Sequence, residues 1–360
     1  MSETRLELRT HPRAADVVAR RARVLAALRS VMDELRCVEV DPPSLLPFAG
    51  QEPHLHPPRV ELPGLPGPLW LQTSPELTLK RLLAAGVPAL YALGPAWRGG
   101  REELSEHHQP SFTMLEWYRP GASLALLQAD VARLASVVAE ALGADRPAGS
   151  RVLDVSEALR RWAGVDPEPL FDGDLERFAA ELRAAGLERA RAEHGAEGLL
   201  GRALVERVEP ALAREPGLSF LQAYPAACAA LAELDPADER LSLRTEAYLS
   251  GLELANGYVE LREGQALARR WEEEARAREG AAPAQDGALL ASLRAKPLPV
   301  CVGMALGVDR LVLALLGGTH LGQVLPLHLA LVDDSAERDR PRRSPSEGEQ
   351  ADADDSEERA

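Results

Sequence analysis

Apolar residues in the first quarter of the chain recur first at helical spacing and then in short runs broken by proline. Over residues 12–36 they return every three or four positions, which predicts one long helix. Residues 37–40 predict a short strand, and residues 44–68, which are rich in proline and glycine, predict a loop. A second helix is predicted over residues 77–85, because Pro75 precedes it at a position where helices accept proline.

The rest of the chain mixes apolar runs of strand length with longer segments of helical period. Strands are predicted at residues 89–98, 111–119, 219–223, 243–248, 252–254, 257–261 and 299–304. Helices are predicted at residues 123–142, 265–279 and 309–316. Strands clustered between helices in this way favour an α+β fold built around one mostly antiparallel sheet.

The same pattern divides the chain into three parts. Residues 1–14 are predicted to be an N-terminal extension, and residues 15–331 one α+β domain. Within it, residues from about 151 to 215 are rich in alanine, arginine and glutamate and predict a helical insertion, to which we assign no chemistry. Residues 332–360 form an acidic tail; from Asp333 onward it has eleven acidic residues and five arginines, which predicts disorder.

Composition narrows the classes of function. The chain has 360 residues, 46% hydrophobic and 27% charged, with a net charge of −15. This describes a globular protein whose acidic body argues against broad affinity for nucleic acids or membrane surfaces. The chain has neither an apolar run of membrane-spanning length nor an N-terminal signal sequence, so we expect a cytoplasmic protein without membrane contact.

Cysteine and lysine are both scarce. Cys37, Cys228 and Cys301 are odd in number and far apart, which argues against a disulfide framework or a zinc site. The chain has only two lysines, Lys80 and Lys296. We attribute this scarcity to the composition bias of an alanine- and arginine-rich chain and assign no function to either lysine.

Residues 111–119 place an unusual set of side chains on one face of a strand. Because alternate side chains of a strand share a face, Phe112, Met114, Glu116 and Tyr118 point the same way. An exposed amphipathic strand is the alternative, but such strands seldom combine phenylalanine, methionine and tyrosine. A carboxylate beside a phenol suits the ammonium group of a ligand, so this face is a candidate substrate site.

Glu246 and Glu253 are predicted to face each other across a hairpin whose tip is Leu249-Ser250. Like charges directly opposite destabilise a hairpin, whereas a divalent cation between them would reverse this effect. Carboxylate oxygens suit Mg²⁺ that is also bound to the phosphates of a substrate. The alternative, two exposed glutamates in a wider loop, stays open on these residues alone.

Further carboxylates lie on neighbouring predicted elements. Asn256, Tyr258 and Glu260 alternate on the next strand and offer an amide, a ring and a carboxylate. Glu76, at the start of the second predicted helix, joins Glu116 in one acidic patch, and Glu260 forms another. Two separate acidic patches would fit a substrate that carries two amines.

Arg98 and Arg310 are candidates for binding phosphates, because a guanidinium matches phosphate geometry and keeps its charge. An isolated arginine is more often part of a surface ion pair. The segments around these two arginines, residues 97–118 and 303–310, favour the phosphate role. A metal site at the closely spaced histidines of the chain is disfavoured, because they lack a matching third ligand. We therefore expect His108 to contact a phosphate or the loop. The chain has neither a GxSxG nucleophile elbow nor a P-loop.

Three segments stand in a fixed order along the chain: EVDPP at residues 39–43, WRGGREELSEHHQPSFTMLEWY at 97–118 and GMALGVDR at 303–310. They resemble the three signature motifs of class II aminoacyl-tRNA synthetases. Over about residues 15–331 the chain resembles the catalytic domains of lysyl-tRNA synthetases. It is more similar still to their truncated paralogues, the elongation factor P–(R)-β-lysine ligases. The resemblance implies a class II synthetase-like α+β catalytic domain.

The resemblance also implies roles for the matching residues. Motif 1, which ends at Pro43, would form a homodimer. ATP would be bound by Arg98, His108, Phe112 and Arg310, of which the two arginines would be catalytic, and by Mg²⁺ held on Glu246 and Glu253. A lysine-like substrate would be bound by Glu76, Glu116, Tyr118, Asn256, Tyr258 and Glu260, with Tyr118 and Glu260 on its distal amine.

Two features favour the ligases over a true synthetase. The motif 1 helix begins almost at the N-terminus, which leaves no room for the tRNA-reading domain of the synthetases. Ala305 stands where lysyl-tRNA synthetases usually carry glycine, and in the ligases this extra methyl is thought to tune the pocket toward β-lysine.

The chain also departs from the family pattern. The motif 2 loop is about two residues longer, with Gly99-Gly100 after Arg98, so Glu102 or Glu103 would replace the usual glutamate of the ATP site. Ser111 replaces a glutamate and Tyr258 a phenylalanine. These departures affect details of ATP binding and acceptor docking more than the class of reaction.

The expected activity is a two-step ligation. The carboxylate of (R)-β-lysine attacks the α-phosphate of Mg-ATP, and a lysine side chain of elongation factor P then attacks the acyl-adenylate. The acceptor is implied by the resemblance alone. One alternative is an enzyme that activates α-lysine for tRNA or another amine, although the missing tRNA-reading domain disfavours tRNA. Another is a non-catalytic paralogue that acts as a regulatory subunit.

Overall fold

The strands of the chain gather into a large sheet, a small sheet and a terminal pair. A computed structural model describes residues 4–278 and 280–333. The described strands are β1 Thr4–Thr10, β2 Val38–Glu39, β3 Leu45–Leu46, β4 Arg59–Val60, β5 Leu69–Leu71, β6 Leu90–Trp97, β7 Ser111–Pro120, β8 Ser150–Asp154, β9 Leu218–Pro225, β10 Leu234–Asp235, β11 Asp238–Leu249, β12 Leu252–Val259, β13 Cys301–Gly307 and β14 Leu327–Asp333.

Helices connect these strands and cover the large sheet. The described α-helices are α1 Ala14–Glu34, α2 Glu76–Ala84, α3 Leu124–Leu142, α4 Val155–Ala158, α5 Glu168–Phe171, α6 Leu175–Ala184, α7 Gly195–Ala203, α8 Glu209–Leu212, α9 Gly264–Ala277, α10 Gly287–Ala295 and α11 Val308–Leu315. Two π-helical turns, Leu159–Ala163 and Leu204–Val208, continue α4 and α7.

The large sheet has the strand order β2-β6-β7-β13-β12-β11-β9-β8, with β10 beside β11. Its inner neighbours pair antiparallel, whereas the pairs at its two ends, β2–β6 and β8–β9, are parallel. The predicted α+β fold around a mostly antiparallel sheet is therefore confirmed.

One face of this sheet packs against α1, α3 and α11 in the main hydrophobic core. Trp117 of β7 is fully buried there beside Leu28 of α1 and Leu134 of α3. Because side chains alternate along a strand, the neighbouring Glu116 and Tyr118 lie on the opposite face. The prediction that Phe112, Met114, Glu116 and Tyr118 share one face of this strand is confirmed.

The opposite face is bordered by two further groups of helices. The helical insertion, α4 to α8, packs on β9 and β11 through Tyr224 and Tyr248. On the other side α2, α9 and α10 pack around Leu79 and Trp271. Between these two groups the sheet is left open, and this opening holds the candidate site.

The two ends of the described chain form a strand pair that the sequence analysis did not predict. Residues of β1 pair antiparallel with β14 along their whole length, from Thr4 opposite Asp333 to Thr10 opposite Leu327. The predicted tail at 332–360 is therefore wrong at its first two residues, and residues 334–360 lie outside the described part. Leu6 and Leu8 of β1 are exposed, so this strand has no buried apolar face that the sequence pattern could reveal.

Three smaller expectations also need correction. The predicted loop at 44–68 contains strands β3 and β4, which pair with β5, because strands of two residues are too short to show a period. The predicted helical insertion begins with a strand, β8. The separate strands predicted at 252–254 and 257–261 form the single strand β12, whose Gly257 leaves space for the Gly303 carbonyl.

Candidate active site

A cavity of about 470 Å³ opens on the face of the large sheet opposite the main core. Its floor is formed by β7, β11, β12 and β13, and its walls by the loop around Glu52, the loop around His108 and the insertion helix α7. One end of the cavity is lined by carboxylates and phenols, and the other end by arginines and histidine. Cavities of this size and composition typically bind small molecules.

The carboxylate end is built from three strands and one helix. Tyr118 donates a hydrogen bond from its hydroxyl to Glu116 Oε1 over 2.7 Å. Lys80 of α2 places its ammonium 2.5 Å from Glu76 Oε1 and 2.7 Å from Glu260 Oε2. The prediction of two separate acidic patches is therefore wrong. Lys80 joins Glu76 to Glu260, and the carboxylates of Glu76, Glu116 and Glu260 line one cavity.

This end of the cavity has unused hydrogen-bonding capacity. Within the described ranges, Glu116 Oε2 and Glu260 Oε1 are buried and have no hydrogen-bond donor. Burial, together with Glu76, raises the pKa of Glu116 well above its usual value, and burial raises the pKa of Glu260 to about 7 despite Lys80. Buried acceptors without donors favour a cationic donor supplied by a ligand.

Gly303 makes room for this arrangement. It lies opposite Tyr118 on one side and opposite Tyr258 on the other. A Cβ atom at this position would lie 2.2 Å from Glu260 Oε1 and 2.5 Å from Tyr118 Cε1, which is too close for either. Ala305, two residues further on, lies between Glu116 and Asn256 in the register and also lines the cavity.

Asn256 is oriented by a neighbouring arginine. Arg244 donates to Asn256 Oδ1 over 3.2 Å, which occupies the amide oxygen and leaves the NH₂ group to donate. The same guanidinium lies 2.6 Å from Glu246 Oε1 and donates to the Cys228 carbonyl. Arg244 therefore links the predicted substrate contact Asn256 to the predicted metal ligand Glu246.

The opposite end of the cavity brings the two motif arginines together. The Arg98 guanidinium stacks on the Phe112 ring at 5.2 Å from its centroid. Arg310 donates to the His107 carbonyl over 3.1 Å and contacts His108 Nε2. Arg98, Phe112, His108 and Arg310 all line the cavity, as the sequence analysis expected of an ATP site.

His108 is held as a neutral ring. Burial, followed by the charges of Arg310 and Arg98, lowers the pKa of His108 to about 4. Because its Nε2 faces the Arg310 guanidinium, Nε2 accepts and the proton lies on Nδ1, which is 2.8 Å from Ser105 Oγ. A neutral His108 therefore helps to orient Arg310.

The helix that carries Arg310 is fixed by a buried carboxylate. Asp309 accepts a hydrogen bond from the Thr113 amide over 2.9 Å and forms a 2.6 Å ion pair with Arg21 of α1. Arg21 also donates to the Thr113 hydroxyl. These contacts join α11, which follows the third motif, to strand β7 of the second motif and to the long first helix.

The hairpin that carries Glu246 and Glu253 differs in register from the prediction. Its turn is Ser250-Gly251, both with positive φ, as two-residue hairpin turns require. A bulge at Ala247/Tyr248 then places Tyr248 opposite Glu253 and Asn256 opposite Glu246. The prediction that the two glutamates are direct cross-strand partners is wrong, because neither this turn nor the bulge was identified.

The two glutamates nevertheless share one electrostatic environment. Burial and the charge of Glu246 raise the pKa of Glu253. A third carboxylate, Glu209 of α8, lies near both, and burial followed by the charges of Glu253 and Glu246 raises its pKa to about 7. The helical insertion, to which the sequence analysis assigned no chemistry, thus contributes a charged group to the cavity.

These residues fit a magnesium ion bound mainly through phosphate. The metal ligands would be carboxylate oxygens, which Mg²⁺ prefers. A bound cation would offset the repulsion between the two carboxylates and so lower the raised pKa of Glu253. Across residues 4–278 and 280–333 no group of three or more histidine, cysteine or carboxylate side chains could hold a metal by itself. One or two carboxylates are the usual protein share of a site in which a nucleotide supplies the other ligands.

The longer motif 2 loop places Glu103, and not Glu102, in the cavity. Glu103 is buried and lines the cavity, and burial raises its pKa against the opposing charge of Arg98. Glu102 is exposed, 3.6 Å from His56. Of the two glutamates that the sequence analysis offered for the ATP site, Glu103 lines the cavity and Glu102 does not.

Sequence reasoning missed several cavity residues. Lys80, Glu209 and Arg244 line or adjoin the cavity, although the sequence analysis assigned no role to any of them. A signal existed for Lys80, which follows Glu76 by one helical turn in a chain with two lysines. Arg244 also had a local signal, because Glu246 lies two residues further along the same strand face, whereas no local signal marks Glu209, whose charged neighbours Glu246 and Glu253 come from distant strands.

Comparison with known proteins places these motifs in one family. The family model "tRNA synthetases class II (D, K and N)" matches residues 1–328. A Klebsiella pneumoniae protein named elongation factor P–(R)-β-lysine ligase is 36% identical over 314 residues, which covers 85% of this chain and 93% of the relative. Proteins of the same name from Yersinia enterocolitica and Yersinia pestis are 34% identical over 314 and 321 residues, covering 93% and 95% of those relatives. None of the helices in the described ranges is both long and apolar enough to cross a membrane.

Proposed function

The chain belongs to the class II tRNA synthetases (D, K and N), and we propose that within this family it ligates (R)-β-lysine to a lysine side chain of elongation factor P. Membership makes it an ATP-dependent amino-acid ligase. The name shared by its relatives supports the substrate and the acceptor. The observation that carries the proposal is one cavity in which, among the described residues, buried carboxylate oxygens without a donor lie at one end and two arginines lie at the other.

In the first step the carboxylate of the amino acid attacks the α-phosphate of ATP and pyrophosphate leaves. Negative charge grows on the phosphate oxygens, and Arg98 and Arg310 offset it with guanidinium groups that are already oriented. Phe112, stacked on Arg98, offers its other face to the adenine ring. Holding both reactants in one cavity supplies much of the rate enhancement for such a transfer.

Recognition of a diamino acid rests on the carboxylate end. Glu116 Oε2 and Glu260 Oε1 accept from the two ammonium groups of the substrate, and Tyr118, Tyr258 and Glu76 complete the walls. The Asn256 NH₂ group donates a hydrogen bond at the side of the pocket that holds the carboxylate of the substrate. The Ala305 methyl, between Glu116 and Asn256, narrows the pocket and favours the shifted amine of a β-amino acid.

In the second step the ε-amine of the acceptor lysine attacks the acyl carbon, the bond to AMP breaks, and an amide forms. The amine must lose its proton before it attacks, and Glu209, a carboxylate in the cavity wall, is the group we assign to accept it. When bound by Glu246 and Glu253, Mg²⁺ would supply charge neutralisation at the ATP phosphates.

Three further expectations belong to this proposal. The first motif, α1 with β2, would form a homodimer, and Val18 and Val38 on these elements are exposed in the single chain. The acidic surface disfavours tRNA as the acceptor. We also expect the enzyme to work in the cytoplasm.

ATP–pyrophosphate exchange tests the activation step directly. The purified chain should exchange labelled pyrophosphate into ATP when (R)-β-lysine is added, and more slowly with α-lysine. Faster exchange with α-lysine would favour an α-lysine-activating enzyme. No exchange with either isomer, for a folded protein that binds ATP, would remove the enzymatic proposal in favour of a non-catalytic paralogue.

A further inference from the structure

Lys80 is a charged side chain buried at the base of the carboxylate end. It is 1% exposed, lies on α2, and contacts Glu76 and Glu260 at 2.5 and 2.7 Å. Its ammonium also lies 5.9 Å from the centroid of the Tyr258 ring. Lysine is almost never fully buried unless it is paired, so this position has a specific electrostatic role.

The charges of this end of the cavity do not balance within the protein. Glu76, Glu116 and Glu260 bring three carboxylates, and Lys80 brings one ammonium. Within the described ranges no other ion pair involves these three carboxylates, and the charge of Glu52, which also lines the cavity and acts on Glu76, is opposed by Arg98 and Arg278. Two negative charges are left over when all the carboxylates are ionised, and a diamino acid brings two positive charges.

We propose that Lys80 is a specificity-determining residue that sets the charge of the pocket to −2, so that only a substrate with two ammonium groups neutralises it. The inference rests on the proposed function and deepens it, since it names the residue that makes the pocket select diamino acids. A substrate with one amine leaves a buried carboxylate without a partner, which costs far more than a lost surface contact.

Lys80 also fixes the direction of Glu260. Because Glu260 Oε2 is held by the ammonium, Oε1 is turned toward the space above Gly303, where a Cβ atom would lie 2.2 Å away. Within the described part of the chain Oε1 has neither a hydrogen-bond donor nor an ion-pair partner, whereas Oε2 has the ion pair with Lys80. Lys80 therefore positions the free acceptor as well as balancing its charge.

Lys80 does not act as a nucleophile. Burial by itself would lower its pKa, but Glu260 and Glu76 outweigh burial and raise it, so the amine stays protonated. In the empty pocket, protons on Glu116 and Glu260 supply part of the missing positive charge, because both carboxyl groups have a raised pKa. The substrate then displaces these protons when it binds.

The experiment compares Lys80→Met, Glu76→Gln and the double variant, with Lys296→Met as control because Lys296 is the other, exposed lysine. The dissociation constant of (R)-β-lysine is measured by calorimetry without ATP, and that of Mg-ATP separately. Lys80→Met should weaken (R)-β-lysine binding about tenfold or more. Mg-ATP binding and the control should stay within about twofold of the wild type.

The double variant separates charge balance from simple structural damage. Removal of one carboxylate together with the ammonium restores a charge of −2 through Glu116 and Glu260. The double variant should therefore bind (R)-β-lysine more tightly than either single variant, whereas two independent structural losses would add. If Lys80→Met does not fold, the comparison of the double variant with Glu76→Gln decides the question.

A double variant that binds no more tightly than the better single variant overturns the inference, as does wild-type affinity in Lys80→Met. The proposed function fails in a different way, if the wild-type chain binds (R)-β-lysine but leaves elongation factor P unmodified. In that case the charge balance of the pocket still stands. A wild-type chain that binds no diamino acid overturns both.

Discussion

Arg310 donates a hydrogen bond to the backbone carbonyl of Glu253 over 3.1 Å, and its guanidinium lies 3.8 Å from the Glu253 carboxylate. This contact joins the helix after the third motif to the hairpin that carries the predicted metal ligands. The same guanidinium reaches His107 and His108 in the loop of the second motif. Arg310 is thus oriented by two separate segments, the hairpin and the loop, before any nucleotide binds, as electrostatic catalysis requires.

Arg98→Ala should abolish ATP–pyrophosphate exchange without unfolding the protein. The half-buried guanidinium faces the cavity beside Phe112, and loss of one such group at a developing charge costs about 100-fold or more in rate. Exchange assays and a circular dichroism melt check this. Arg101→Ala, an exposed arginine of the same loop, is the control and should leave the rate unchanged. Retained turnover in Arg98→Ala would refute the role of Arg98.

Glu253→Gln should raise the Mg²⁺ concentration needed for ATP binding by about tenfold, because a metal ligand and its charge are lost. Calorimetric titration of ATP at several Mg²⁺ concentrations measures this without any turnover. The matched control is Glu239→Gln, which changes an exposed glutamate at the end of β11 that is distant from the hairpin turn. An unchanged Mg²⁺ requirement in Glu253→Gln would contradict the metal assignment.

Binding of the diamino acid should strengthen as the pH rises from about 6 to 8. Burial raises the pKa of Glu260 to about 7 in the empty pocket, and the substrate ammonium needs the ionised carboxylate. Below pH 7 the substrate must therefore displace a proton, and affinity falls by up to about tenfold for each pH unit. Calorimetry in two buffers of different ionisation enthalpy counts the proton released. Affinity that is constant or increases toward acid pH would show that Glu260 is not the acceptor.

Arg21→Ala should destabilise the protein by about 3–5 kcal/mol, because it leaves the Asp309 carboxylate buried without its cationic partner. Arg29→Ala, which removes the exposed ion pair with Glu39, should cost under about 1 kcal/mol. Urea denaturation of the two variants measures both values. Equal effects would mean that Asp309 is stabilised chiefly by the Thr113 amide.

Truncation after Asp333 should leave ATP–pyrophosphate exchange unchanged, because the cavity and the described elements that surround it are built from residues before that point. The exchange rate and the melting temperature of the shortened chain check this. A large loss of either would show that residues 334–360 act on the domain.

Much of the candidate site was predictable because its residues lie on strands of regular alternation. Phe112, Met114, Glu116 and Tyr118 share one face of β7, and the structure keeps them in one cavity. The arginines could be identified because each stands in a motif of fixed spacing. These signals are local in sequence, and local patterns are what a single sequence records best.

The errors lie where structure depends on distant partners. The register of the acidic hairpin was wrong by two residues at Glu253 and by three at Glu246, because a positive φ at Ser250 and a bulge are set by packing rather than by apolar period. Lys80 was taken as composition bias because its second partner, Glu260, is 180 positions away and only the fold brings them together. The β1–β14 pair escaped notice for the same reason.

The most direct test of the account is mass spectrometry of both candidate acceptors after incubation with ATP and each lysine isomer. The account predicts that elongation factor P gains the mass of one (R)-β-lysyl group on a single lysine, and that tRNA gains none. Modification of tRNA with α-lysine, or an unmodified elongation factor P in the presence of active enzyme and (R)-β-lysine, would contradict it.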